Sequence, residues 1–260
     1  MAIFVLGDPH LSLSSDKPMD VFGARWENHA EKIKNAWLAQ VTEADTVVLA
    51  GDLSWAMSLK EAEADLAFFH ALPGKKLLLK GNHDYWWDTV SKMNRFFAER
   101  EWEDFGFLFN TAYNAEGVAL CGTRGWELSA GGEQDQKILA RELQRLEQSL
   151  SLGEGKEKIA FFHYPPFGEG ESPFLPILKN HGVRRCYYGH IHGGKALKTP
   201  PQSIDGIEFT LISADALNFS PLKIDLEGEN EQNCQKKVGF WGSILKDCPL
   251  RVKASGSLFA

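Results

Sequence analysis

The chain has 260 residues, 43% hydrophobic and 24% charged, a globular composition large enough for a sizeable core and compatible with a single α/β domain. Its 28 Lys and Arg stand against 35 Asp and Glu, a formal net charge of −7, which argues against a broad nucleic-acid-binding face. The longest apolar runs are a few residues, too short for a membrane span, and MAIFVLGD reads as a strand with no basic segment or cleavage site ahead of it, so a cytoplasmic location is expected.

In chain order, the first apolar run is IFVL at 3–6, followed by Gly7-Asp8-Pro9-His10. Residues 26–41 carry Trp26, Ala30, Ile33, Trp37 and Val41 at helical spacing. TVVLA at 46–50 ends in Gly51-Asp52. Ser58-Leu59-Lys60-Glu61 reads as a capping box opening a helix to about His70, stopped by Pro73-Gly74. KLLL at 76–79 runs into Gly81-Asn82-His83-Asp84, and a helix is expected from Asp88 to about Arg100. A turn over 110–117, between Phe107-Leu108-Phe109 and VALC at 118–121, suggests an antiparallel pair. A helix over 136–150 aligns Leu139, Leu143, Leu146 and Leu150. IAFF at 159–162 ends in His163, CYY at 186–188 in Gly189-His190-Ile191-His192, and FTLI at 209–212 is the last run. Runs this short and this apolar read as strands buried on both faces, and their alternation with helices implies a largely parallel or mixed sheet. From about residue 227 the chain turns polar, so a folded unit over 1–226 and an appendage over 227–260 are expected. Cys121 and Cys186 read as small buried residues, and neither Cys234 nor Cys248 forms a zinc knuckle.

Five strand ends therefore carry Asp, Asn or His, and five of the eight histidines lie there. Ligands of α/β sheets bind at the carboxyl ends of strands, so these groups converge on one crevice. His29, His70 and His181 fall on or near helices and read as surface residues. Asp8, His10, Asp52, Asn82, His163, His190 and His192 make a set of oxygen and nitrogen donors without thiolate. Such a set suits manganese, iron, zinc or cobalt better than calcium or magnesium. Seven donors exceed one tetrahedral zinc and suit two ions sharing a bridge, roughly 3.5–4 Å apart.

Asp8-x-His10, Gly51-Asp52, Gly81-Asn82-His83-Asp84, His163 and Gly189-His190-x-His192 together resemble the calcineurin-like metallophosphoesterase superfamily, in its order, over about residues 1–225. GDLSWAM and GNHDYWW resemble a group of bacterial predicted phosphohydrolases. The resemblance implies a four-layer α/β/β/α fold, two mixed sheets flanked by helices. It implies two divalent or trivalent transition-metal ions, manganese first. Asp8, His10, Asp52 and His192 would hold one, and Asp52, Asn82, His163 and His190 the other. Attack on a phosphate mono- or diester by a metal-bridging hydroxide would follow, with His83 facing the phosphate and Asp84 orienting His83. Gly81 would permit the sharp turn. Where many relatives carry a further acid or polar group, this chain has Leu53-Ser54-Trp55, so substrate choice is expected to differ.

Arg124, after the strand at 118–121, reads either as a ligand of a phosphate oxygen or as a surface salt bridge. Trp55, Tyr85, Trp86, Trp87, Trp126 and Tyr164 either wall the pocket or pack. A phosphorylated small molecule is the expected substrate, with no membrane partner and no nucleic acid. Two alternatives accompany it: a nuclease or protein phosphatase with the same site, and a non-catalytic protein-binding scaffold. Asp84 is more typical of diesterase and nuclease branches than of Ser/Thr protein phosphatases, and scaffold members typically lose ligands, of which none is missing here.

Overall fold

The structure, a computed structural model, describes residues 1–226 apart from residues 16, 130, 154, 169 and 200. The expected appendage, with Cys234 and Cys248, lies outside the described residues.

Four strands of one sheet are parallel: β1 (Ile3–Leu6), β2 (Thr46–Ala50), β3 (Lys75–Leu79) and β4 (Phe105–Phe107). Their order is β1-β2-β3-β4, and β11 (Leu222–Ile224) closes the other edge, antiparallel to β1. The second sheet is built from β5 (Ala112–Ala115), β6 (Val118–Thr123), β7 (Glu157–Phe162), β8 (Arg185–Tyr188), β9 (Gln202–Ile204) and β10 (Ile207–Leu211). Its order is β5-β6-β7-β8-β10-β9, parallel inside and antiparallel at both edges.

Strand alternation makes the layers, because successive side chains point to opposite faces. Phe4, Leu6, Val47, Leu49 and Leu78 pack with Ile33, Trp37, Leu66, Phe69, Met93 and Phe97 from α1 (His29–Leu38), α2 (Glu63–His70) and α3 (Val90–Ala98). On the second sheet Ala119, Cys121, Ala160, Phe162 and Tyr188 pack with Leu146, Leu150, Phe174 and Leu178 from α4 (Glu133–Leu152) and α5 (Phe174–Asn180). The intervening residues, Val5, Val48, Leu77, Leu79, Leu120, Ile159 and Phe161, are buried just as completely and fill the space between the sheets. A Cβ on Gly122 would overlap the Phe161 carbonyl of the neighbouring strand and press on Leu79 of the other sheet. Two mixed sheets flanked by helices is the expected fold class.

Several boundaries differ from expectation. α1 starts at His29 rather than Trp26 because Asn28, at φ 52°, breaks the chain direction and leaves residues 24–26 in a separate 3-10 turn. Glu61 N donates to Ser58 Oγ, but the Glu61 carboxylate accepts from Met57 N rather than Ser58 N, so this turn precedes α2 instead of capping it. Phe107 belongs to β4 and the first sheet, so the antiparallel partner of β6 is β5. Among the described residues no helix is long and apolar enough to cross a membrane.

Candidate metal centre

The carboxyl ends of β1, β2, β3, β7 and β8 meet at one rim, and backbone hydrogen bonds tie them together. Gly7 N donates to Ile212 O and Ala214 N to Gly7 O, each at 2.8 Å, which joins the two sheets. Asp8 N donates to Gly51 O at 2.9 Å, His10 N to Asp52 O at 3.0 Å, and Gly189 N to His163 O at 3.1 Å. Four of the expected ligands sit in the left-handed region: Asp8 (φ 56°), His10 (φ 46°), Asp52 (φ 52°) and His190 (φ 71°). That conformation costs a non-glycine residue about 1–2 kcal/mol and concentrates at functional sites. Gly81 serves close approach rather than the turn itself. A Cβ on it would overlap the carboxylate and amide of Asp52, and one on Gly189 would overlap the Asp8 carboxylate.

All seven expected ligands come together. His10 Nε2 faces His192 Nε2 at 3.3 Å, and His192 Nε2 lies 3.5 Å from Asp8 Oδ1. Asn82 Oδ1 lies 2.6 Å from His163 Nε2 and 2.9 Å from His190 Nδ1. Asp52 Oδ2 lies 3.5 Å from His163 Nε2 and 3.8 Å from His10 Nε2. Ligand atoms of Asp8, His10 and His192 all fall within 4.8 Å of one another, as do those of Asp8, Asp52 and His163. Asp8 thus joins both groups, but its approach to His163 is to Nδ1, 3.6 Å away, the nitrogen that also faces Ala50 O at 3.3 Å. Asp52 approaches the Nε2 side.

These donors fit metal. Atoms held about 2.1 Å from one ion lie roughly 3–3.5 Å apart, close to the separations here. Two imidazole nitrogens facing each other at 3.3 Å share at most one proton, and a cation between them relieves the contact. The electrostatics agree. Burial keeps His163 neutral, with its pKa down to about 3, and holds His10 well below the usual imidazole value. Burial works against the Asp8 charge, but the protonated His192 beside it overturns that and holds its carboxyl well below the usual range. Burial, then the Asp84 and Asp8 charges, push Asp52 up. Burial would lower His192, yet Asp8 and Asp215 raise it to about 10. Carboxylates crowded together and one imidazole kept protonated make a site short of positive charge.

The resemblance gave Asp84 the task of orienting His83, and the hydrogen bonds of its carboxylate run to the turns. Its carboxylate accepts from Asp52 N and Leu53 N at 2.8 Å, Ser54 N at 3.4 Å, Gly81 N at 2.7 Å and Trp86 Nε1 at 2.9 Å. It clamps the 51–54 and 81–84 turns together, and among the described residues no hydrogen bond joins it to the His83 imidazole. A carboxylate so close to five donors is used up by them. His83 donates its amide to Asp52 Oδ1 at 2.7 Å, and its buried Nδ1 has no partner among the described residues. Trp55 lies 4.6 Å from the His83 ring and stacks on His10 at 5.0 Å, so it supports both. Trp86 is fully buried packing, and Tyr85 is exposed beside His83. Arg124 pairs loosely with Glu142, at 3.6 Å, while its carbonyl accepts from the His163 and Tyr164 amides.

Two residues escaped the sequence reading. Asp215 Oδ1 lies 3.0 Å from His192 Nδ1 and Oδ2 accepts from Gly193 N at 2.7 Å, which turns Nε2 toward the centre. It sits just beyond the end of β10, so the strand-end rule applied to FTLI would have found it. His29, expected at the surface, is buried: its Nε2 lies 3.2 Å from His10 O and braces that turn.

The pattern of the calcineurin-like phosphoesterase family matches residues 1–194. No curated protein matches the chain. Among solved structures, a phosphopantetheinyl hydrolase from Mycobacterium tuberculosis is similar, with 10% identity over 88% of this chain and 98% of that one, and a TM-score of 0.52. That likeness shows the fold alone. Fainter ones are a protein of unknown function from Aquifex aeolicus (15% identity, 91% and 98% coverage, TM-score 0.47) and a protein from Thermus thermophilus (14%, 86% and 97%, 0.49). With three quarters of its length matched and the family's donor types gathered at one rim, the chain belongs to the calcineurin-like phosphoesterase family and is a metal-dependent phosphohydrolase.

Proposed function

We propose that this phosphohydrolase works with two metal ions on a phosphate mono- or diester of a small molecule. The observation that carries the reading is the place of Asp52, one of whose oxygens faces His163 Nε2 at 3.5 Å and His10 Nε2 at 3.8 Å. Asp8, His10, Asp52 and His192 would hold one ion, and Asp52, Asn82, His163 and His190 the other. Manganese is the first choice, with iron, zinc or cobalt as alternatives, since no thiolate is present. When bound, the pair supplies an activated water and a clamp for phosphoryl oxygens.

The remaining work falls to side chains. His83 is half-buried and burial lowers its pKa, so its neutral imidazole donates one hydrogen bond to an oxygen of the transferring group. Trp55 on one side and Tyr85 on the other limit its swing. Asp215 fixes the tautomer of His192, and Asp84 fixes the turn that presents Asp52.

Metal-stripped protein is tested on p-nitrophenyl phosphate and bis-p-nitrophenyl phosphate, with Mn²⁺ then added back. Release that depends on Mn²⁺ is expected, and the preferred ester separates monoesterase from diesterase. His83→Ala should lower kcat about a hundredfold with metal content unchanged. Full turnover without metal, or in His83→Ala, would overturn the mechanism.

A further inference from the structure

Near His190 lies a guanidinium that the neighbouring carboxylate does not hydrogen-bond. Arg124 is locked there by its backbone, whose carbonyl accepts from His163 N at 3.2 Å and Tyr164 N at 2.9 Å. Its guanidinium lies 4.7 Å from the Trp126 ring, that ring 5.6 Å from Tyr164, and Tyr164 4.3 Å from the candidate ligand His190. Two aromatic rings thus form a floor leading from the guanidinium to the metal centre.

The carboxylate beside Arg124 is already committed. Glu142, on α4, is buried, and it accepts from Thr123 Oγ1 on one oxygen and from Arg145 Nη1 on the other, both at 2.5 Å. Arg124 Nη2 is left 3.6 Å from Glu142, beyond a hydrogen bond, and its Nε is buried without a partner among the described residues. Lys80, the residue before Gly81, is half-buried and makes no hydrogen bond or ion pair among the described residues. It follows Leu79, whose side chain faces Gly122, two residues before Arg124. Asp84 is taken up by the turn amides. Arg145 thus takes Glu142, and Arg124 and Lys80 are left without a hydrogen-bonded acid among the described residues, in a chain whose net charge is −7. Half-buried cations without a counter-charge are costly, so a ligand that brings the missing anion binds well. Arginine presents paired donors to the oxygens of a phosphoryl group.

We propose that Arg124 and Lys80 form an anion subsite for a second phosphoryl group, so that the preferred substrate is a small phosphoester carrying one. The proposal rests on the phosphoesterase reading and sharpens its substrate class. It separates bisphosphates and diphosphates from simple monophosphates.

The metal-loaded enzyme is assayed on a sugar bisphosphate and on the matching monophosphate, with p-nitrophenyl phosphate as a reporter of the centre alone. Wild type should favour the bisphosphate at least tenfold in kcat/KM. Arg124→Gln and Lys80→Gln should each bring that ratio toward one, and Arg124→Lys should keep part of it. A second readout uses no turnover: calorimetric binding of inorganic pyrophosphate and orthophosphate to metal-stripped protein. Pyrophosphate should bind at least tenfold more tightly in wild type, and the advantage should vanish in Arg124→Gln or, if that variant does not fold, in Lys80→Gln. Turnover of p-nitrophenyl phosphate with no bisphosphate preference in wild type overturns the subsite and leaves the phosphoesterase reading standing. No turnover of any ester overturns the phosphoesterase reading itself. Equal pyrophosphate binding by wild type and both Gln variants also overturns the subsite.

Discussion

Two clusters of charge lie at opposite ends of β3. At the amino end, Lys76 Nζ donates to Asp104 Oδ2 at 2.7 Å and to the Leu72 carbonyl, while His70 Nδ1 meets Asp104 Oδ1 at 2.7 Å. At the carboxyl end, Asp52 sits beside Asp8 and Asp84, and His10 faces His192. The first cluster closes on itself, since each charge finds its opposite and the leftover donor finds a carbonyl. The second gathers like groups and holds them apart with backbone amides. Burying like charges costs several kcal/mol per ion unless something of opposite sign arrives. A cluster that satisfies itself is structural, and a buried one that leaves like groups facing each other is built for a ligand.

The contrast can be broken most sharply at Asp52. Asp52→Ala should lower turnover about a thousandfold or more and reduce bound metal below two ions per chain, read by p-nitrophenolate release and elemental analysis. An active variant with two ions would remove Asp52 from the bridge. Asp104→Ala should do the opposite: it leaves Lys76 buried beside no acid, costs about 3 kcal/mol in urea unfolding, and does not change metal stoichiometry. Metal loss there would erase the distinction between the two ends. Asp84→Asn tests the clamp between the turns, since an amide nitrogen cannot accept from the backbone amides. It should destabilise the protein by about 2 kcal/mol. Unchanged stability would return Asp84 to the role of orienting His83.

The mildest effect expected is on pH. His192, raised to about 10, and Asp52, raised by burial and neighbouring carboxylates, both hold protons at neutral pH in the metal-free protein. Metal must displace those protons, so its binding weakens as pH falls and strengthens as pH rises toward the raised values. Calorimetry in buffers of different ionisation heat should show proton release on metal uptake at pH 7. Uptake without release would mean the carboxylates and imidazoles are already deprotonated.

The amino-acid sequence by itself determined the inner strands and the donors at their ends. IFVL and TVVLA match β1 and β2 residue for residue, because a strand buried on both faces writes its boundaries into a short unbroken apolar run. The edge strands β4, β9 and β11 were not legible, since each is three residues long and largely half-buried or exposed. The donors were legible because the chemistry of a strand end is local. What those donors touch was not. Asp84 reaches back to Asp52, 32 residues away, and Asp215 to His192, 23 residues away. His29 tucks under His10, and Arg124 competes with Arg145 for Glu142. Such pairings depend on sheet order and on how closely loops approach, and side-chain type alone carries no information about either. Only the tertiary structure could decide that Asp84 holds turns together and that Arg124 keeps a buried Nε without a partner among the described residues.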